Sequence, residues 1–219
     1  MCSRRKADVL VAEGRVKING RVAVMGDAVS QEDEVAVDGR SISTEREEKV
    51  YYVFHKPVGI MSSVDPNGKD TITTFLEISS RIFPVGRLDV ASSGLMILTN
   101  DGAFSEAITH PSRNHEKEYV VTVDKPISDE HMQEMANGVM VLGSKTKPAR
   151  LKRIGPSKFS IVLTEGRNRQ IRRMCEGLGY EVRKLARIRI MTLVLGELEV
   201  GKFRPLTRKE LSDLRAQMA

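Results

Sequence analysis

The sequence predicts an α+β chain of two unequal parts, and three observations carry the prediction. Short apolar runs rich in β-branched residues and bounded by turn dipeptides alternate with helical patterns that have their own start and stop signals. A polar, mostly charged stretch, STEREEK at residues 43–49, separates two regions of apolar patterning and reads as a linker. The length, 219 residues, suffices for one substantial core and a small second unit. The expected boundaries are 1–42 for the small N-terminal part, 43–49 for the linker and 50–219 for the larger domain.

Composition bounds the partner and the compartment. Lys and Arg number 35 against 29 Asp and Glu, giving a net charge of +6 and an isoelectric point near 9.4. That balance favours a polyanionic partner. Cys2 and Cys175 are far apart and stand in no C-x-x-C or His-paired spacing. Neither a disulfide framework nor a zinc site is supported, and a reducing cytoplasm fits. No apolar run approaches the roughly 18 residues of a membrane span, and no charged-then-apolar signal pattern opens the chain. A soluble protein that is not exported is expected. No repeat period, phosphate-cradling glycine loop or H-E-x-x-H string occurs, so no cofactor and no metal are expected.

In the small part, residues 3–13 read as a helix with Ser3 as N-cap and Gly14 as its stop, with Val9, Leu10 and Ala12 as its apolar residues. Val16 and Ile18, the hairpin signal Asn19-Gly20, then Val22 and Val24, and Val35 to Val37 closed by Asp38-Gly39 add short strands. Basic residues are front-loaded: Arg4, Arg5, Lys6, Arg15, Lys17 and Arg21. Such a run is either a solvated face or a polyanion contact.

The larger domain opens with strand material at residues 50–54, and His55 to Ile60 turn the chain through Pro57 and Gly59. Residues 61–69 form a polar loop, and 70–79 a short helix or irregular piece. The stretch 83–102, FPVGRLDVASSGLMILTNDG, organises the domain. Asp89 stands at a loop mouth just before the buried-strand run Leu95 to Thr99, and Asp101-Gly102 forms a turn. An isolated Asp at this place caps a turn; partial burial and a nearby cation make it reactive instead. A short helix at 103–109 ends at His110-Pro111, and a strand at 115–123 puts Tyr119, Val121 and Val123 on one face. A helix at 128–137, a basic strand-like segment at 145–153 and a strand at 159–163 follow. The helix at 169–178 turns Ile171, Met174, Cys175 and Leu178 to the core. Arg172 borders that stripe, while Arg169 and Arg173 point away from it. Residues 181–201 give one or two closing strands in which Arg183, Arg187 and Arg189 alternate with apolar residues. Thr207 to Glu210 is a capping box that opens a terminal helix over 208–217.

Arg87-Leu88-Asp89, followed by Ser93-Gly94-Leu95 and Thr99-Asn100-Asp101-Gly102, resembles the central motif of the small-subunit-type family of ribosomal RNA pseudouridine synthases. Lys56-Pro57-Val58-Gly59, Lys117-Glu118-Tyr119 and EGRNRQIRRM extend the resemblance over nearly the whole chain. The N-terminal pattern resembles an S4 domain, the alpha-L RNA-binding module, whose relatives carry a helix ahead of the Ser-Arg-Arg element. By that comparison the module lacks its first helix here. The resemblance implies a catalytic domain on a largely antiparallel mixed sheet with a central cleft. It also implies isomerisation of uridine to pseudouridine in RNA without cofactor or metal.

On matching positions the resemblance makes Asp89 the catalytic nucleophile or base, Tyr119 the ring that stacks on the extruded base, and Arg172 the cation paired with Asp89. RNA contacts fall to Arg87, Lys117, Arg167, Asn168, Arg169, Gln170 and Arg173, with Arg4, Arg5, Arg15 and Lys17 of the small module. His55 stands where relatives carry Asn and receives no chemical role. HEKEY and NRQIRRMCE look most like the F-type branch that modifies large-subunit (23S) ribosomal RNA. A monomer acting on ribosomal RNA is expected. The alternatives are another RNA, such as a tRNA anticodon loop or small-subunit RNA, and a non-catalytic S4-type RNA-binding protein, for which Asp89, Arg172 and Tyr119 would be unnecessary.

Overall fold

The computed structural model describes residues 4–30, 32–42, 48–65, 68–76 and 82–218, in two compact units, 1–48 and 49–219. The first holds α1 (Arg4–Ala12), β1 (Val16–Ile18), β2 (Arg21–Val22), β3 (Val35–Val37) and β4 (Arg40–Ile42), with the strands in one antiparallel sheet ordered β2-β1-β3-β4. Asn19-Gly20 and Asp38-Gly39 each place two successive residues at positive φ, 49° and 82° and then 51° and 77°. That pair of conformations is what a two-residue hairpin needs to match strand twist. The second turn thus opens into β4, a strand that alternation does not reveal because all three of its residues are exposed. Val11, rather than Val9, turns to the core, packing with Val16 against Ile18, Ala23 and Val35, while Val9 is 53% exposed. The Ser3 cap and most of the expected linker, 43–47, lie outside the described residues.

The second unit runs β5 (Tyr51–Lys56), α2 (Ile72–Phe75), β6 (Phe83–Val85), β7 (Ser93–Thr99), α3 (Gly102–Thr109), β8 (Lys117–Val123), α4 (Asp129–Asn137), β9 (Met140–Val141) and β10 (Ser144–Lys145). It continues with β11 (Arg150–Gly155), β12 (Lys158–Leu163), α5 (Gln170–Gly177), β13 (Val182–Ile190), β14 (Leu193–Val194), β15 (Phe203–Pro205) and α6 (Arg208–Ala216). The nine-stranded sheet follows the order β11-β12-β8-β13-β7-β5-β15, with β14 beside β13 and β6 beside β7. It is antiparallel except where β13 lies parallel to β7. The α+β fold with a largely antiparallel mixed sheet is therefore present.

Strand β7 explains the centre. Leu95 to Leu98 is an unbroken apolar run because both faces of the strand are covered. Leu95 and Ile97 pack with Val53, Phe104, Ile108 and Leu214 on one side. Met96 and Leu98 pack with Phe54, Ile72, Leu76 and Leu88 on the other. A third core joins Val121, Phe159, Ile161, Met174, Cys175 and Leu185, over which α4 and α5 lie.

Several details depart from the expectations. Strand β5 continues through His55 and Lys56, so the turn forced by Pro57 and Gly59 starts two residues later than expected. Asp101 is no turn residue: it caps α3, accepting from Phe104 N, and is also bonded to Tyr51 Oη at 2.8 Å and Lys49 Nζ at 2.9 Å. The β9–β10 hairpin and the edge strand β15 are additions. Pro205 ends β15, a residue that sheets accept at an edge because no partner there needs its missing N–H. Within 70–79 a single helical turn, α2, is present, with 77–81 outside the described residues. No helix among the described residues is long and apolar enough to cross a membrane.

Candidate active site

A cleft of about 1000 Å³ opens where the loop between β6 and β7 faces β8, β13 and the entry to α5. Asp89, Arg87, Tyr119, Lys117, Arg167, Asn168, Arg169 and Gln170 all line it, so residues scattered over eighty positions of sequence meet at one place.

The Asp89 loop is held by its backbone. Ser62 Oγ donates to Leu88 O at 2.7 Å and accepts from Leu88 N at 3.0 Å. Gly59 N donates to Val90 O at 2.8 Å, and Ser92 N to Asp89 O at 3.0 Å. Arg172 Nη2 donates to Ala91 O at 2.7 Å. Loop carbonyls and amides on both sides of Asp89 are thereby satisfied, while its half-buried carboxylate accepts no hydrogen bond among the described residues. The Lys-Pro-x-Gly element and the polar loop at 61–69 act here as the clamp on the acid, a task that sequence reading did not assign to Gly59 or Ser62.

Arg172 reaches inward, as its position on the border of the helical stripe implied, but to backbone. Besides Ala91 O it donates through Nη1 to Val182 O at 3.1 Å, and its Nε is buried without a partner. A direct Asp89–Arg172 ion pair is therefore a correction: among the described residues the two are not in contact. Burial and then Arg169 lower the pKa of Arg172, while the charge of Asp89 works the other way, so the two groups sense each other through space. The carbonyls of a tight turn and of a strand start, lacking ladder partners, have taken the guanidinium.

Tyr119 is half-buried, packed between two of the cores with its ring on the cleft wall. Its cross-strand partner is Arg187, which in turn pairs with Gly94 of β7. Gly94 sits at φ +113°, and a Cβ there would lie 2.2 Å from Arg187 O. Only glycine lets β13 approach β7 closely behind the Asp89 loop. Arg187, one of the arginines that alternate with apolar residues, is 2% exposed: it keeps register with buried Leu185 on the face of Val121 and Tyr119. It donates Nε to Leu95 O at 2.7 Å. Lys56 is fully buried beneath the same region, its Nζ on Pro57 O at 2.8 Å and Ile60 O at 2.7 Å. Burial holds its pKa down at about 8 against the favourable charge of Asp89, with Arg187 adding to the depression. Burial, then Arg187, also lowers the pKa of Lys117.

The remaining candidates divide by their surroundings. Arg87, Asn168 and Arg169 are exposed at the cleft. Arg169 takes the left-handed conformation, φ 52°, that starts α5. Arg173 bonds back to Asn168 O at 3.1 Å. Gln170 and Arg167 line the cleft as well and are bonded to the chain itself. Gln170, 4% exposed, accepts from Arg167 N at 3.0 Å and donates to Glu165 at 2.8 Å. Arg167 holds the carbonyls of Val141, Ser144 and Lys145. In the N-terminal unit Arg5 and Lys17 are exposed, Arg15 is ion-paired with Asp38 and Glu13, and the Arg4 side chain lies outside the described residues. Among the described residues no group of three or more His, Cys, Asp or Glu is placed to hold a metal ion.

The sequence profile of the RNA pseudouridylate synthase family matches residues 50–177, spanning the clamp, the Asp89 loop, Tyr119 and Arg172. The chain is 48% identical over 215 residues to the dual-specificity RNA pseudouridine synthase RluF of Salmonella typhi, covering 98% of this chain and 74% of that protein. It is 40% identical to ribosomal large subunit pseudouridine synthase B of Bacillus subtilis strain 168, covering 99% and 91%. A crystal structure of a pseudouridylate synthase superposes with a TM-score of 0.74 at 35% identity, over 97% of this chain and 94% of that one. With the cleft and its family motifs brought together in one fold, the chain belongs to the RNA pseudouridine synthases, in their RsuA branch, and is an isomerase.

Proposed function

We propose that this isomerase converts a uridine of large-subunit (23S) ribosomal RNA to pseudouridine, with Asp89 as the catalytic nucleophile or base. The observation that carries the reading is the Asp89 loop: a carboxylate with no hydrogen-bond partner among the described residues, fixed by its neighbours' backbone and set across a cleft from Tyr119. An acid required only for folding would be bonded to the chain, as Asp101 is. In the reaction the bond between N1 and C1′ breaks, the uracil turns, and C5 bonds to C1′; C5 loses its proton and N1 gains one. Asp89 engages the sugar or the base of the extruded nucleotide, Tyr119 stacks on the uracil, and Arg172 keeps the loop and its charge in place. Extrusion costs a few kcal/mol, offset by stacking and by phosphate contacts from the exposed basic residues. The enzyme acts as a monomer in the cytoplasm. The name of the Salmonella relative, dual-specificity, favours a second RNA, for which tRNA is the candidate.

Asp89→Asn preserves shape and removes the reacting oxygen. It should abolish tritium release from stem-loop RNA carrying uridine labelled at C5 while leaving the RNA Kd within about twofold. Substantial turnover by the variant would overturn the role of Asp89. Pseudouridine mapping in a strain lacking the gene tests the substrate: loss confined to small-subunit RNA would remove the large-subunit reading.

A further inference from the structure

Among the described residues, Arg187 is the one guanidinium in the cleft wall that is almost entirely enclosed and yet incompletely bonded. Its Nε serves Leu95 O, but Nη2 is buried without a partner. Leaving such a donor unmet is costly, more so for a charged group, so it is retained where a ligand completes it. Its backbone is fixed: β13 is pressed against β7 at Gly94, where the Arg187 backbone fills the space a side chain would take. Position places it on the sheet face of its cross-strand neighbour Tyr119, with Lys117 two residues before Tyr119 on the same face. Lys117 Nζ has one long bond, 3.3 Å, to His115 O. The charge of Arg187 is felt by both Lys117 and Lys56, so cations are gathered behind the base-stacking ring. Like charges brought together away from water are unfavourable unless negative charge arrives among them.

We propose that Arg187 Nη2 and Lys117 Nζ form an oxyanion site for the uracil of the target nucleotide, stabilising the negative charge its carbonyl oxygens acquire when the bond from N1 to C1′ breaks. The inference rests on the pseudouridine-forming reading of the cleft and adds to it the groups that receive the departing electron pair. As C1′ leaves, the pair stays on the ring and spreads to the carbonyl oxygens. It returns to C1′ when C5 makes the new bond, so the site is neutralised only during the reaction. Donors preset where charge develops contribute more to the transition state than to binding.

The experiment compares Arg187→Lys and Lys117→Met in the full chain, by single-turnover conversion at saturating RNA and by RNA Kd across a salt series. Two stem-loops serve, one with uridine and one with 5-fluorouridine at the target; on the second, where C5 has no proton to lose, the rate read is that of rearrangement to the C5-glycoside, which takes up water at C6 and a proton at N1. Arg187→Lys should slow uridine conversion about 100-fold and Lys117→Met about tenfold, with each Kd within about threefold. Because fluorine withdraws electrons and makes the base a better leaving group, both losses should shrink on 5-fluorouridine. A Kd that weakens in step with the rate, with a salt slope reduced by about one, would show a phosphate contact instead and overturn the proposal. Rates equal to wild type would show that water completes Nη2 and overturn it too. Should Arg187→Lys fail to fold, Lys117→Met decides alone, since its single long bond carries little of the fold. If wild type converts neither RNA, the pseudouridine reading fails. If wild type converts both and the variants match it, only the oxyanion site fails.

Discussion

Lys56 carries an ammonium group into a place with no solvent, and the sign of its titration is open to measurement. Its pKa of about 8 lies below the ordinary 10.5, so between those values the unfolded chain binds a proton that the folded chain releases. Below pH 8 both states hold the proton and the cost of burying the charge stands in full. From about pH 8 to 10.5 that cost is relieved, and this residue's contribution to stability rises with pH. Denaturant unfolding of wild type and Lys56→Met should therefore show a stability difference that moves in favour of wild type across that window, by at most about 1.4 kcal/mol per pH unit. A difference that stays flat from pH 7 to 10 would mean that Lys56 is solvated. Cys175 presents the opposite case: burial pushes its thiol up to about 12, which makes it a small core residue and not a nucleophile.

At the scale of elements, the contact between β7 and β13 and the start of α6 can each be broken by one change. Gly94→Ala adds a Cβ 2.2 Å from Arg187 O at a φ of +113°, so strain and collision act together. The variant should lose at least about 3 kcal/mol, seen as a lowered Tm, with the Asp89 loop and Tyr119 drawn apart and turnover lost. Glu210 joins two functions at α6: it accepts from both terminal guanidinium nitrogens of Arg204 at 2.8 and 2.7 Å, and it closes the capping box with Thr207. The Arg204 hydrogen bonds, then those from Thr207, hold its pKa at about 2 against burial, below the ordinary 4.5. Its stabilisation is complete above pH 4.5 and is lost as the pH falls toward 2. Glu210→Gln should cost about 1–2 kcal/mol at pH 7. In urea unfolding the gap between variant and wild type should narrow steadily below pH 4.5.

For the whole molecule, the division at residue 48 makes a direct test of labour between the units. The three cores of the larger unit draw on residues after 49 alone, and the small unit has its own core around Ile18 and Val35. A chain of residues 49–219 should therefore unfold cooperatively by itself and keep the single-turnover rate on a stem-loop at saturating concentration. Its RNA affinity should be weaker and its salt slope shallower, because the exposed basic residues of the small unit are gone. Equal affinity and equal slope for both chains would mean that the small unit does not touch that RNA.

The sequence by itself determined what is local in its causes. Asn19-Gly20 dictated its hairpin, Thr207 to Glu210 its helix start, and the period of Ile171, Met174 and Cys175 the buried face of α5, because backbone conformation, capping and side-chain direction are set within a few residues. The unbroken apolar run in β7 marked the centre of the sheet, and the motif around Asp89 marked the cleft. Tertiary structure alone decided what depends on partners distant in sequence. Arg172 lies against Ala91 and Val182 instead of the carboxylate, Gln170 and Arg167 are bonded inward, and Lys56 is sealed below the acid. Arg187 is enclosed because it faces Tyr119 across the ladder and because Gly94, almost a hundred residues earlier, leaves room for its backbone. A period of two describes one strand, whereas the burial of a charge depends on which strands lie beside it and how closely they approach.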